Sequence, residues 1–280
     1  VICCGTSEVA CPSLQALFDD PVFDVQLVYT RPDKPAGRKQ ELQASPVKIL
    51  TEKLSIPLGQ PEDINAAKLP EDAPDYLVIV SFGQKISAEL LRYPKIAAVN
   101  LHPSLLPLWR GASPIQNALL SGAGETGVTI QKMVDEIDAG PILSQEKISI
   151  DPRETKESLT EKLSNAGGAL LVNTLKASLV ETPQDNNQAT HCQKLTRSVG
   201  HVDSKEMTAE EIDRHVRALV PWPGVRTTIQ GEEVKLIETV LEESTDAFAL
   251  ECKDNTTLFI LKIQSPGRNV VTGEEWGRGN

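Results

Sequence analysis

The sequence has no C-x-x-C pair and only five cysteines, Cys3, Cys4, Cys11, Cys192 and Cys252. An odd, scattered set excludes a disulfide framework and fits free, mostly buried thiols in a reducing compartment. Histidine is equally sparse, with four in 280 residues. Nowhere do His and Cys fall at zinc-site spacing, so no metal is expected. No stretch approaches the roughly 18 to 20 uninterrupted apolar residues of a membrane span. The opening VICCGTSE lacks the basic start and long apolar run of a signal peptide. It reads as a strand entered without a leader, with a start methionine and a few residues expected upstream. There is no G-x-S-x-G nucleophile elbow, and "CGTSE" after the first strand is not G-x-G-x-x-G, which argues against a dinucleotide site. Internal repeats and low-complexity tracts are absent too. Positive charge is in short supply: 28 Lys and Arg against 39 Asp and Glu leave a net charge of −11. That argues against coating nucleic acid non-specifically, although it does not exclude a small local basic site.

What is present is length enough for one large or two ordinary domains. The first half alternates strand and helix patterns: VICC, a helix over 11–18, DVQLVYT, a helix over 46–54, PDYLVIVSF, the helical KISAELLRY, and a strand ending in AAVNLH. Such alternation predicts a mostly parallel sheet covered by helices, a Rossmann-like α/β domain. A helix over 113–121, extended segments over 126–134 and 141–150, and a long helix from about Thr155 to Val180 follow. Residues 182–199 are polar and turn-rich, as a linker is. Beyond them TAEEIDRHVRAL opens on a Thr208–Glu211 capping box. Short β-like segments then predict a small OB-like β-barrel. The expected domains are 1–181 and 200–280, joined by 182–199.

The strand ending AAVNLHP carries the chemistry. Asn100 and His102 are two apart, so they share a face at the strand's carboxyl edge, where ligands bind in open α/β sheets. An amide there can hydrogen-bond a carbonyl oxygen as negative charge develops, and a His–Asp pair orients and charges an imidazole. A carboxylate for that pair is available in MVDEIDAGPIL, but spacing alone does not choose among Asp135, Glu136 and Asp138. Taken alone, Asn-x-His before Pro103 is more often a hydrogen-bonded turn than a catalytic pair. With no nucleophile elbow, the chemistry points to acyl-type transfer in which the substrate brings the nucleophile.

"NLHPSLLPLWRGASPIQ" closely resembles the signature of the folate-dependent formyltransferases: Asn-x-His, then Ser-Leu-Leu-Pro, then Arg-Gly. The family's third catalytic residue is an Asp in a turn like "IDAG", which the resemblance places at Asp138. It implies 10-formyltetrahydrofolate as formyl donor. Asn100 and His102 would stabilise the oxyanion, and an ionised Asp138 would position His102 and favour its protonated form. Ser104, Leu105, Leu106 and Pro107 would line the folate pocket. The segment SFGQKIS, with Phe82, Gly83 and Gln84, would close over the pterin.

"TRPDKPAGRKQELQASPVK" and "VPWPG" resemble the branch of that family that formylates methionyl-initiator tRNA. The resemblance covers nearly the whole chain. It implies that Lys34, Arg38 and Lys39 meet the tRNA acceptor stem, with Arg38 the main contact. Gln40 and Glu41 stand where the family often carries further basic residues, which weakens the loop's positive field. Acidic residues outnumber basic ones from Gly200 onward, so a basic face there would need folding to gather Arg214, Arg217, Arg226, Lys235 and Arg268. The expected protein is a monomer in a bacterial cytoplasm or an organellar matrix. The alternatives are a formyltransferase acting on an amino-sugar nucleotide or glycinamide ribonucleotide, and a non-catalytic RNA-binding protein that kept the shell.

Overall fold

The computed structural model describes residues 1–36 and 41–279. Its contacts resolve two compact units: Val1–Gly111 with Thr126–Ser149 and Thr160–His191, and Ala112–Glu125 with Ile150–Leu159 and Cys192–Asn280.

The elements run β1 (Ile2–Gly5), α1 (Cys11–Asp19), β2 (Leu27–Tyr29), β3 (Lys34–Ala36), β4 (Glu41–Gln43), α2 (Pro46–Lys53), β5 (Leu58–Gly59) and β6 (Tyr76–Val80). They continue with α3 (Ala88–Leu91), β7 (Ala97–His102), β8 (Arg110–Gly111), α4 (Pro114–Leu120), β9 (Glu125–Lys132), β10 (Ile142–Ser149), α5 (Lys156–Lys176) and β11 (His191–Cys192). In the first unit a seven-stranded sheet has the order β10-β9-β7-β6-β1-β2-β5. The strands β5, β2, β1, β6 and β7 are parallel, and β9 runs antiparallel to β7. This is the mostly parallel sheet predicted. It grows from β1 in both directions, as a doubly wound sheet does.

Residue parity divides its core. Cys3, Val78, Val80, Val99 and Leu101 face α1, α2 and α5 in one cluster. Ile2, Cys4, Leu77, Ile79 and Ala98 form the other, with Phe82, Ile86 and Leu90. Asn100 and His102 share parity with Ala98 and so belong to the second face. Two glycines let α5 lie close on the first face: a Cβ on Gly167 would meet Leu101 Cδ1 at 2.6 Å, and one on Gly168 would meet the carbonyl of Pro12 at 3.0 Å. Helix α2 begins where predicted because Ser45 accepts from Lys48 N at 3.0 Å and Pro46 follows it. The expected helix in KISAELLRY shrinks to the four residues of α3, capped by Ser87. The polar segment after β2 contains a short hairpin, β3 with β4.

The second unit adds α6 (Ala209–Leu219), β12 (Val225–Ile229), β13 (Glu232–Val240), β14 (Phe248–Cys252), β15 (Thr256–Gln264), β16 (Val271–Thr272) and α7 (Gly273–Gly279). The capping box is made on both sides by Thr208 and Glu211. Helix α6 packs on β12, β13 and β15, with Ile212, Val216 and Leu219 buried. The strands form one antiparallel sheet, β12-β13-β15-β14, with β16 beside β15. Asp213 is fully buried on α6. Its Oδ2 accepts from Arg153 at 2.7 Å and Arg217 at 2.8 Å, and its Oδ1 from Thr239 at 2.9 Å.

Candidate active site

Strand β7 ends in Asn100 and His102 at the carboxyl edge of the parallel strands, as the sequence implied. Its antiparallel neighbour β9 sets Gln131 opposite Asn100 and Thr129 opposite His102. Directly opposed residues on paired strands share a face. Four polar side chains therefore meet on one face of two strands, and all but the half-buried Asn100 are buried.

Asp138 reaches them from the turn after β9. Its backbone is left-handed, φ 53°, and the turn folds back so tightly that a Cβ on Gly140 would fall 1.8 Å from the carbonyl of Lys132. Only glycine fits there. Gln184 Nε2 clamps the turn by donating to the carbonyls of Asp138 at 2.9 Å and Gly140 at 2.7 Å. Gln184 Oε1 in turn accepts from the buried guanidinium of Arg110, at 3.0 Å from Nε and 2.7 Å from Nη2. Next to Arg110, Gly111 N donates to Asp138 Oδ2 at 2.9 Å. The Arg-Gly of the motif thus braces the acid turn and holds its carboxylate.

Of the three adjacent carboxylates, Asp138 is the one the geometry joins to His102. Its Oδ1 lies 3.5 Å from His102 Nδ1 and 3.5 Å from Asn100 Nδ2. His102 Nε2 faces the carbonyl of Trp109 at 3.0 Å. A carbonyl only accepts, so Nε2 carries the proton there, and Nδ1 pairs with the carboxylate only when it carries one too. The Asn100 amide is loosely held and can donate to a substrate oxygen; the Nδ1 edge of His102, equally loosely held, can do so only when it too carries a proton.

The loop after β7 is fixed through its backbone. Thr129 Oγ1 donates to Ser104 O at 2.7 Å and accepts from Leu106 N at 3.1 Å and Gln145 Nε2 at 2.9 Å. Gln145 Nε2 also donates to Leu106 O at 2.8 Å, and Ser104 Oγ to Leu108 O at 2.6 Å. Ser104 and Leu106 are buried, whereas Leu105 and Pro107 are partly exposed. Phe82 is buried as well. Gln84 is spent on the 61–64 turn, accepting from Ile64 N at 2.7 Å and donating to Pro61 O at 3.0 Å. The side chains of Ser104, Leu106, Phe82 and Gln84 are thus taken up by the protein itself. Gly83 is exposed, and Leu105 and Pro107 are partly exposed. Both loops follow the ends of neighbouring parallel strands, β6 and β7.

Lys34 is exposed at the start of β3; Arg38 and Lys39 lie outside the described residues. Of the five cations considered beyond Gly200, Arg214 pairs with Glu210 at 2.8 Å and Arg217 with Asp213. Arg226 and Lys235 stand opposite each other on β12 and β13. Among the described residues no group of three His, Cys, Asp or Glu could hold a metal, and no helix is long and apolar enough to cross a membrane.

Gln131, Gln145, Gln184 and Arg110 did not emerge as site residues from the sequence. Thr-x-Gln at 129 and 131 repeats the alternation of Asn-x-His and was a usable signal. Gln184 lies in the segment that reads as a linker, where nothing local marks it.

The family model described as "Formyl transferase" matches residues 1–175, and that described as "Formyl transferase, C-terminal domain" matches residues 194–280. The chain is 39% identical to a methionyl-tRNA formyltransferase of Magnetococcus marinus, over 100% of this chain and 95% of that protein. It is 35% identical to a methionyl-tRNA formyltransferase of Enterococcus faecalis over the same shares. Among solved structures it resembles WlaRD, a sugar 3N-formyl transferase determined in the presence of dTDP and 5-N-formyl-THF. That match has a TM-score of 0.68 at 20% identity and covers 96% of this chain and 98% of that one. HypX from Aquifex aeolicus, in complex with tetrahydrofolic acid, is similar at a TM-score of 0.58 and 18% identity, over 72% of this chain and 38% of that one. At such identities the structural likeness speaks to the fold alone. The two family models and the whole-length relatives agree, and the chain belongs to the formyl transferase family.

Proposed function

We infer that the chain transfers the formyl group of 10-formyltetrahydrofolate to the α-amino group of methionine on initiator tRNA. The observation that carries this reading is the meeting of Asn100, His102 and Asp138 at the end of β7, in a chain whose whole-length relatives carry that activity in their names. The acceptor amine attacks the formyl carbon. A C–N bond forms, the bond to the folate nitrogen breaks, the amine loses a proton to water, and the folate nitrogen gains one. Asn100 Nδ2 and, with the ring protonated on both nitrogens, the Nδ1 edge of His102 donate to the formyl oxygen as charge gathers on it, where one such donor is typically worth about 10²- to 10³-fold in turnover. Asp138 holds His102 in place.

The folate lies against Gly83, Leu105 and Pro107, whose exposure beside the catalytic edge fits an aromatic ligand. Lys34, Arg38 and Lys39 serve the acceptor stem, Arg38 most of all because its guanidinium can make bidentate contacts. Residues 1–181 carry the chemistry, 182–199 link, and 200–280 contact the tRNA. The protein works as a monomer in a bacterial cytoplasm.

The deciding assay measures formyl transfer from 10-formyltetrahydrofolate to methionyl-initiator tRNA, with uncharged tRNA and a dTDP-amino sugar as parallel acceptors. Transfer to the charged tRNA alone is expected. Transfer to the sugar alone would keep the site and overturn the substrate.

A further inference from the structure

Asp138 Oδ1 is approached by three side-chain groups, and they are not equal. Asn100 Nδ2 and His102 Nδ1 stand at 3.5 Å, the outer limit of a hydrogen bond. Gln131 Nε2 donates to the same oxygen at 2.9 Å. The other oxygen is held by the backbone of Gly111. Gln131 therefore makes the one side-chain hydrogen bond of ordinary length to this carboxylate among the described residues.

That bond comes with an awkward companion. Gln131 is 2% exposed, and its Oε1 is buried with no hydrogen-bond partner among the described residues. Reversing the amide does not help, because it would set Oε1 against the carboxylate. A Leu or Met would fill similar space without stranding an acceptor, and buried unpaired acceptors are costly. The residue makes sense through what its donor does at Asp138. With the near position on Oδ1 taken, Asn100 and the Nδ1 edge of His102 remain at arm's length. Without it, both donors can close onto the carboxylate and be withdrawn from a substrate oxygen.

We propose that Gln131 is a positioning residue of this site: it anchors Asp138 by Oδ1 and so keeps the Asn100 amide and the His102 Nδ1 edge available to the reacting oxygen. The proposal rests on the reading of Asn100, His102 and Asp138 as the catalytic set.

The test uses the full chain with Gln131→Leu and Gln131→Glu, beside Asn100→Ala and His102→Ala. For Gln131→Leu, kcat falls about ten- to a hundredfold, the range that small misplacements cause. Both KM values stay within about twofold of the parent, and Tm is unchanged or higher because the stranded acceptor is gone. A residue needed only for folding would instead lower Tm. For Gln131→Glu, activity relative to the parent rises as pH falls, since a protonated carboxyl restores a donor whereas an ionised one faces a second carboxylate. Parent-like kcat in Gln131→Leu, with Asn100→Ala and His102→Ala impaired, overturns the role of Gln131 alone. So does a loss of kcat that follows a lowered Tm with no pH signature in Gln131→Glu. Parent-like turnover in Asn100→Ala and His102→Ala removes the underlying reading instead.

Discussion

Gln131 stands directly across from Asn100 in the antiparallel register of β7 and β9, and one carboxylate oxygen of Asp138 is shared between their two amides. The two contacts differ in length, 2.9 Å for Gln131 and 3.5 Å for Asn100. The short one fixes the acid, and the long one leaves an amide free to turn. A site built on paired strands obtains this arrangement from the sheet itself, because register decides which side chains face each other.

Removing the loosely held donors should cost turnover without costing the fold. Asn100→Ala and His102→Ala are each expected to lower kcat by about tenfold or more, with near-ultraviolet circular dichroism unchanged. Steady-state formyl transfer checks this. Near-normal rates in both variants would exclude the two residues from the mechanism.

The loop after β7 depends on a hydroxyl that uses all its capacity. Thr129→Val keeps the volume but strands Leu106 N, Ser104 O and one bond of Gln145 Nε2 in a buried place. A loss of about 1–3 kcal/mol in stability follows from unpaired buried groups. The KM for the folate should rise several-fold while that for tRNA holds, and Thr129→Ser should restore both. If the folate KM stays at the parent value in the valine variant, the loop does not shape the pocket.

Some of this was legible in the sequence for physical reasons. The alternation in AAVNLH placed Asn100 and His102 on one face. Arg110 was visible as part of the Arg-Gly motif but not as a brace, because its partner Gln184 is 74 positions away and only folding brings them together. Helix α7 was not visible either. GEEWGRG is glycine-rich and intrinsically poor helix, yet Gly273 packs where a Cβ would lie 1.9 Å from the carbonyl of Ile260. Trp276 meets Phe248 edge to face at 5.0 Å. Tertiary packing overrides propensity there. In the SLLP loop, too, spacing alone did not show that Ser104 and Leu106 are buried while Leu105 and Pro107 are partly exposed. SLLP is a motif, but burial of alternate residues decides which of them a ligand can touch.

In the second unit, Asp213 is the anchor most exposed to a single change. Its carboxylate is 1% exposed and serves Arg217, itself 12% exposed, and Arg153, which is 51% exposed. Asp213→Leu leaves the Arg217 guanidinium without its carboxylate, holding only the carbonyl of Glu154 at 2.9 Å, and breaking a buried pair this way typically costs about 3–5 kcal/mol. The half-exposed Arg153 can turn to water, so the lower end, about 3 kcal/mol, is expected. Urea unfolding followed by fluorescence measures it. A change within about 0.5 kcal/mol, as surface substitutions give, would mean that the triad is not a net anchor.

His215, two residues further along α6, should give this unit a pH dependence of definite sign. Burial pushes its imidazole below the ordinary value of 6.5, and the charge of Arg214 pushes the same way, against the carbonyl of Glu211 that Nδ1 faces at 2.8 Å and the charge of that residue. Because the folded value is the lower one, the unfolded chain takes up the proton first as pH falls. The contribution of His215 to stability is therefore complete above about pH 6.5 and is lost as pH drops from there through the folded value. Denaturant unfolding of the parent should show stability declining in that window, and His215→Gln should flatten the part of the slope that one proton accounts for. An identical slope in the glutamine variant would assign the acid sensitivity to the carboxylates instead.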